Sequence, residues 1–174
     1  MSKSHSAVIV VLLSLALIPS FAAGQDLVGP TSREAILEHV PAWQDLVAAY
    51  QPKPEALDKL RGLGRQVRIE VYFGSWCSDS MAHVSAFFKI LDLVDSPLLQ
   101  PAYFGVPEAK DKRPPYTEGK DIVKLPTFIV IVDGREAGRI VETPKRSVEE
   151  DLVAILEGRA GPAPPLPSSA SPTP

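Results

Sequence analysis

The chain carries one strong nucleophile. Cys77 is the single cysteine among 174 residues, set in Phe73-Gly74-Ser75-Trp76-Cys77-Ser78-Asp79-Ser80. A strand-like run, Val67 to Phe73, leads into it and a helix-like run leads out. At such a junction the unpaired N–H groups of a helix start favour negative charge, and the thiolate is the form of cysteine that attacks disulfides. A lone cysteine cannot close an internal disulfide, so it is either buried and inert or free to react with another molecule. Ser80, three residues on, can hydrogen-bond a thiolate or cap the helix with its hydroxyl. Asp79 suits the positive end of a helix dipole, but close to the sulfur its charge would oppose a thiolate. His83 can face a partner or solvent, and a base role for it depends on geometry. Three scattered histidines and one cysteine give no metal-ligand spacing, and neither metal nor cofactor is expected.

The elements that must position Cys77 follow from periodicity. Gln66 to Phe73, rich in β-branched and aromatic residues, predicts a strand. Met81, Val84, Phe88 and Leu91 form a stripe widened by Phe87, Ile90 and Val94, which predicts a helix over 78–94 packed on a sheet. Leu98 to Phe104 reads as a second strand. Gly105 to Lys124 is polar, broken by Pro107, Pro114 and Pro115, and predicts mostly loop with one helical turn; Lys110-Asp111-Lys112-Arg113 within it reads as solvated. Thr127 to Val132 is an apolar strand, Asp133-Gly134 a hairpin turn, and Arg135 to Val141 its partner. Ser147 to Glu150 is a capping box opening a helix that stops at Gly158.

Upstream, Gln25 to Pro30 reads as a linker and Thr31 to Glu34 as a capping box with Thr31 as N-cap. Ile36, Leu37, Val40, Trp43, Leu46, Val47 and Tyr50 recur at helical spacing, and Pro41 predicts a kink or two short helices. Pro54 suits the first turn of a further helix through Arg61, ended by Gly62 and Gly64. Strand, helix, strand, loop, strand, hairpin strand and helix imply an α/β fold: a mixed sheet covered by helices on both faces, its first two strands parallel through a right-handed crossover.

The ends read differently. Lys3 and His5 precede an apolar run from Ala7 to Ile18 and the small residues Ser20, Ala22, Ala23 and Gly24, the layout of a secretory signal peptide cut after residue 22, 23 or 24. That run of 12 residues is short of the ~20 that span a bilayer, against the alternative of a retained anchor. Export places the chain in an oxidising compartment, periplasmic or secreted, with no stable membrane span after cleavage. From Arg159 onward six prolines with Ala and Ser cannot bury a core and predict a disordered tail, with a proline-rich partner ligand as the alternative. A net charge of −3 argues against a nucleic-acid binder.

Leu125-Pro126-Thr127 before an apolar strand adds a further signal. Together with the strand ending in Trp76-Cys77 and the glycine hairpin followed by a strand and helix, it resembles the thioredoxin superfamily over Val67 to Leu156, about half of the chain. Gly-Ser-Trp-Cys-Ser-Asp-Ser is similar to a branch of bacterial thioredoxin-like proteins with a Cys-x-Asp-Ser form. The resemblance implies a thioredoxin-like fold over residues 65–158, to which the residue patterns above add a leader at 1–24, an N-terminal helical extension at 25–64 and a tail at 159–174. It implies that Pro126 follows a cis bond and faces Cys77, and that Trp76, Leu125, Pro126 and Thr127 line the groove for a partner's extended chain. Two departures from the family pattern stand out. Ser80 occupies the position of the resolving cysteine and cannot release a mixed disulfide by thiol exchange. Val71 occupies the position of the family's buried acid, and Glu70 beside it should point to the opposite face of the strand. The expected function is monothiol thiol–disulfide exchange through Cys77, with protein or low-molecular-weight thiols and disulfides as partners and an external thiol resolving the adduct. The alternative is a redox-inactive peptide-binding or chaperone module. A separate interaction surface on Thr31 to Arg61, with Trp43 and Tyr50 as anchors, is a weaker expectation.

Overall fold

The computed structural model describes residues 25–158; the expected leader at 1–24 and the proline-rich tail at 159–174 lie outside the described residues. The chain runs β1 (Gly29–Thr31), α1 (Arg33–His39), α2 (Trp43–Ala49), α3 (Pro54–Arg61), β2 (Val67–Phe73), α4 (Ser78–Val94), β3 (Leu99–Gly105), a 3₁₀ turn at Lys110–Lys112, α5 (Pro114–Thr117), β4 (Thr127–Val132), β5 (Arg135–Val141) and α6 (Val148–Leu156). The five strands form one mixed sheet in the order β1-β3-β2-β4-β5. β2 and β3 are parallel and joined through α4, whereas β1–β3, β2–β4 and β4–β5 are antiparallel.

Strand alternation sorts side chains into two layers. Val67, Ile69, Val71 and Phe73 of β2, with Phe128, Val130 and Val132 of β4, face the main core. There they meet Ile36 of α1, Trp43 and Val47 of α2, Leu57 and Leu60 of α3, Val84, Phe87, Phe88 and Ile90 of α4, and Leu152 and Ile155 of α6. Each such side chain taken fully from water contributes roughly 1.5–3 kcal/mol. The other face holds a smaller cluster of Tyr72, Val106, Leu125 and Ile129, against which Cys77, Phe104, Ile122 and Ile131 pack. Helices therefore flank the sheet unequally. The second face is covered by the β3–β4 connection, whose only helical pieces are the 3₁₀ turn and the four-residue α5.

Three expectations need correction. Gln25 to Pro30 is not all linker: Gly29 and Pro30 begin β1, and Thr31 pairs with Tyr103 across the sheet edge. Because pairing occupies Thr31, the N-cap of α1 is Ser32, whose Oγ accepts the Ala35 N–H at 3.2 Å. Pro41 separates two short helices, α1 and α2. Trp43 and Tyr50 are not surface anchors. Trp43 is fully buried edge-on to Phe73, and the Tyr50 hydroxyl donates to Glu149 of α6 at 2.9 Å. At the β4–β5 hairpin both turn residues take positive φ, 51° at Asp133 and 74° at Gly134, which an Asp-Gly pair accommodates. Among the described residues no helix is long and apolar enough to cross a membrane.

Candidate functional site

Cys77 sits where β2 ends and α4 begins. Gly74 to Trp76 make a tight turn in which the Cys77 N–H donates to the Gly74 carbonyl at 3.1 Å. Cys77 is the N-cap of the 17-residue α4, with extended backbone angles and no side-chain cap on the first-turn N–H groups. Its thiol is half-buried and lies 3.8 Å from the Leu125 carbonyl oxygen, a weak S–H donor contact. The Leu125–Pro126 bond is cis.

The structure brings four of the residues singled out in the sequence to this end of the sheet. Trp76 is 37% exposed, and its indole N–H donates to the Val106 carbonyl at 3.0 Å. Leu125 and Pro126 are buried beside the thiol. The Pro126 carbonyl accepts the Glu142 N–H at 2.7 Å, and the Thr127 hydroxyl donates to the Lys124 carbonyl at 2.7 Å, so the strand entry is fixed on both sides.

The remaining residues behave differently. Ser80 is fully buried, and its Oγ accepts the Gly74 N–H at 3.1 Å. It does not cap α4; it ties the first turn of the helix back to the end of β2. Asp79 is exposed in the first turn. His83 lies six residues beyond Cys77, about 9 Å along the helix and about 120° round it. Burial pushes its imidazole below the ordinary range, with Asp79 opposing. Val71 is buried in the main core. Glu70 does face the other side of β2, where it is 4% exposed. Lys120 at 2.7 Å and Arg68 at 2.9 Å pair with it, and the Tyr72 hydroxyl donates to it at 3.3 Å.

Three features of the site were not visible in the sequence. Arg113, read as part of a solvated loop, folds back so that its guanidinium carbon lies 5.2 Å from the centre of the Trp76 ring. Its Nε donates to the Pro107 carbonyl at 3.0 Å and its Nη2 to the Glu108 carbonyl at 2.9 Å. The segment before β1 also reaches the site: the Leu27 N–H donates to Ser75 Oγ at 3.0 Å, and Asp26 accepts the Glu108 N–H at 2.7 Å. Glycine is required at two close approaches. A Cβ on Gly74 would lie 2.7 Å from the Trp76 ring, and one on Gly105 would lie 2.0 Å from the Leu27 carbonyl oxygen. None of these contacts has a periodic or motif signal, because each depends on how turns and loops bend back and not on spacing within a helix or strand. Among the described residues no group of three or more His, Cys, Asp or Glu side chains is gathered to hold a metal ion.

No protein-family description and no curated protein matches the chain. Two solved structures share its fold. One is a protein of unknown function, PA1234, from Pseudomonas aeruginosa, with a TM-score of 0.58 and 20% identity over 75% of this chain and 94% of that one. The other is the HIV epitope-scaffold 4E10, with a TM-score of 0.53 and 19% identity over 75% of this chain and 84% of that one. At such identity the likeness is one of fold alone.

Proposed function

We propose that the chain is a thioredoxin-like monothiol protein of the bacterial cell envelope, exchanging disulfides through Cys77. The observation that carries this reading is the setting of the thiol: half-exposed, at the uncapped N-terminus of α4, beside Leu125-Pro126. The Cys77 thiolate attacks one sulfur of a partner disulfide. A new S–S bond forms at Cys77, the partner's S–S bond breaks, and the leaving sulfur departs with the electron pair and takes a proton from water. Cys77 is thereby oxidised and the partner reduced by one thiol equivalent. Ser80 has no thiol and its oxygen is bound to Gly74, so an external thiol must attack the mixed disulfide and regenerate Cys77. The exported location rests on the expected leader at residues 1–24 and is part of the proposal.

The test is to incubate the full chain with glutathione disulfide and follow its mass. One glutathionyl adduct is expected, removed by added thiol, absent in Cys77→Ala, and forming faster as pH rises. A folded wild-type chain that stays unmodified across neutral to alkaline pH overturns the reading. A second reading, a redox-inactive peptide-binding module, is favoured by the exposed ring next to the thiol: Trp76, the residue before Cys77, is 37% exposed. It expects extended-peptide binding that persists in Cys77→Ala, and loss of binding in that variant would sink it.

A further inference from the structure

We infer that Arg113 is a specificity-determining residue that selects disulfides bearing a carboxylate near the sulfur; the inference rests on the monothiol reading of Cys77. The guanidinium is held from three sides: by the Trp76 ring face and by the carbonyls of Pro107 and Glu108. Trp76 itself is fixed by its bond to the Val106 carbonyl and by its packing over Gly74. A cation is thus stationed on the residue next to the nucleophile, on a platform with little freedom to move. Nη1 has no partner among the described residues, and Arg113 is only partly covered, so one N–H pair is open to an incoming anion. A guanidinium presents its donors in a plane that matches a carboxylate.

The neighbouring charges sharpen this assignment. In the adjoining segment Lys110 and Lys112 are offset by Glu108 and Asp111, all exposed. Lys124 is paired with Glu142. What remains is Arg113 against Asp79 and Asp26, and the Asp26 carboxylate is already turned to the Glu108 N–H. Asp79 is exposed on the first turn of α4, where water and salt screen it, whereas Arg113 is packed on an aromatic ring and is screened less. A carboxylate-bearing disulfide therefore gains at this site, and an ammonium-bearing one loses. The chemical step is the exchange already written; Arg113 takes no part in bond making.

The experiment uses the full chain and two small disulfides of opposite charge, dithiodipropionate and cystamine. The rate of mixed-disulfide formation at Cys77 is measured for each and divided by that probe's rate with mercaptoethanol, which removes intrinsic reactivity. In low salt the normalised ratio should favour dithiodipropionate by roughly threefold to tenfold, the scale of a partly screened charge pair. Raising salt to about 1 M, where the screening length is about 3 Å, should bring the ratio close to one. Arg113→Gln should lose most of the preference, Arg113→Lys should keep part of it, and Asp79→Asn should increase it. Because Arg113 also braces its loop, the ratio between probes within one variant is the readout, and the wild-type salt dependence needs no variant. A salt-independent ratio, or one unchanged in Arg113→Gln, overturns the selection while leaving Cys77 a reactive monothiol. No adduct from either probe overturns the monothiol reading and the selection with it.

Discussion

The hydroxyl of Ser80 and the missing side chain of Gly74 set the position of the thiol between them. Ser80 Oγ accepts the Gly74 N–H inside the protein, while Gly74 lies against the Trp76 ring with no room for a Cβ. Both contacts hold the turn from which Cys77 projects. Ser80→Ala leaves a buried N–H without its acceptor, which costs about 1–3 kcal/mol. If Ser80 only braces the turn, denaturant unfolding of Ser80→Ala should show this loss while the alkylation rate of Cys77 in the folded chain changes little. A collapse of the alkylation rate at unchanged stability would mean that Ser80 acts on the sulfur itself. Gly74→Ala should act on the other side of the turn. The ring must move off its seat, the Trp76 bond to Val106 breaks, and Arg113 loses its platform.

The N-terminal helices belong to the same packed unit as the sheet, and a buried carboxylate joins them. Glu149 of α6 is 1% exposed and accepts the Tyr50 hydroxyl at 2.9 Å and the Lys53 N–H at 3.0 Å. Removing that carboxylate strands both donors, so Glu149→Ala should cost about 2–4 kcal/mol, and Tyr50→Phe, which removes one donor cleanly, about 1 kcal/mol. In a Trp76→Phe background, unfolding followed by Trp43 fluorescence and by sheet circular dichroism should give one coincident transition. An earlier Trp43 transition would mean that α1–α3 detach on their own. The elements legible in the sequence are those with a long pattern. The width of the stripe from Met81 to Val94 marked α4, the apolar run Thr127 to Val132 marked β4, and Asp133-Gly134 fixed the hairpin that registers β5 against it. β1 was hidden because three residues including Pro30 carry no period, and a proline is tolerated there only because the strand lies at the sheet edge. With β1 unseen, the capping-box spacing from Thr31 to Glu34 pointed to Thr31 and not Ser32 as the N-cap. Arg113 was illegible for a related reason: a charged residue in a proline-broken segment looks solvated until the fold brings Trp76 beneath it.

Across the whole molecule, the sheet separates a large apolar core from a thinner layer with a charged floor, and buried ionisable groups occur in both. Tyr103 is 7% exposed in the main core, and burial pushes its phenol up. Burial first, and then Glu149, pushes Tyr50 up in the same direction. On the other face burial, with Glu70 adding to it, pushes Tyr72 up to about 12 from 10.0. A phenol whose folded value is raised keeps its proton after the unfolded chain has lost it. Its contribution is therefore complete below the unfolded value near 10 and is lost as pH climbs from there through the folded value. His83 sets the acid side. Its imidazole is lowered from 6.5 by burial, so the unfolded chain takes up the proton first and stability declines as pH falls through that range. The folding free energy should accordingly be flat between about pH 7 and about pH 9.5 from these groups and fall on either side. The alkaline limb is the sharper test. Tyr103→Phe keeps the ring and, since the Tyr103 hydroxyl has no hydrogen-bond partner among the described residues, should leave neutral-pH stability nearly unchanged. Between about pH 10 and about pH 12 the same variant should lose stability more slowly than wild type, because one of the three reluctant phenols is gone. Urea unfolding across that range reads the difference directly, and parallel alkaline limbs for the two proteins would mean that the Tyr103 proton is not held by the fold.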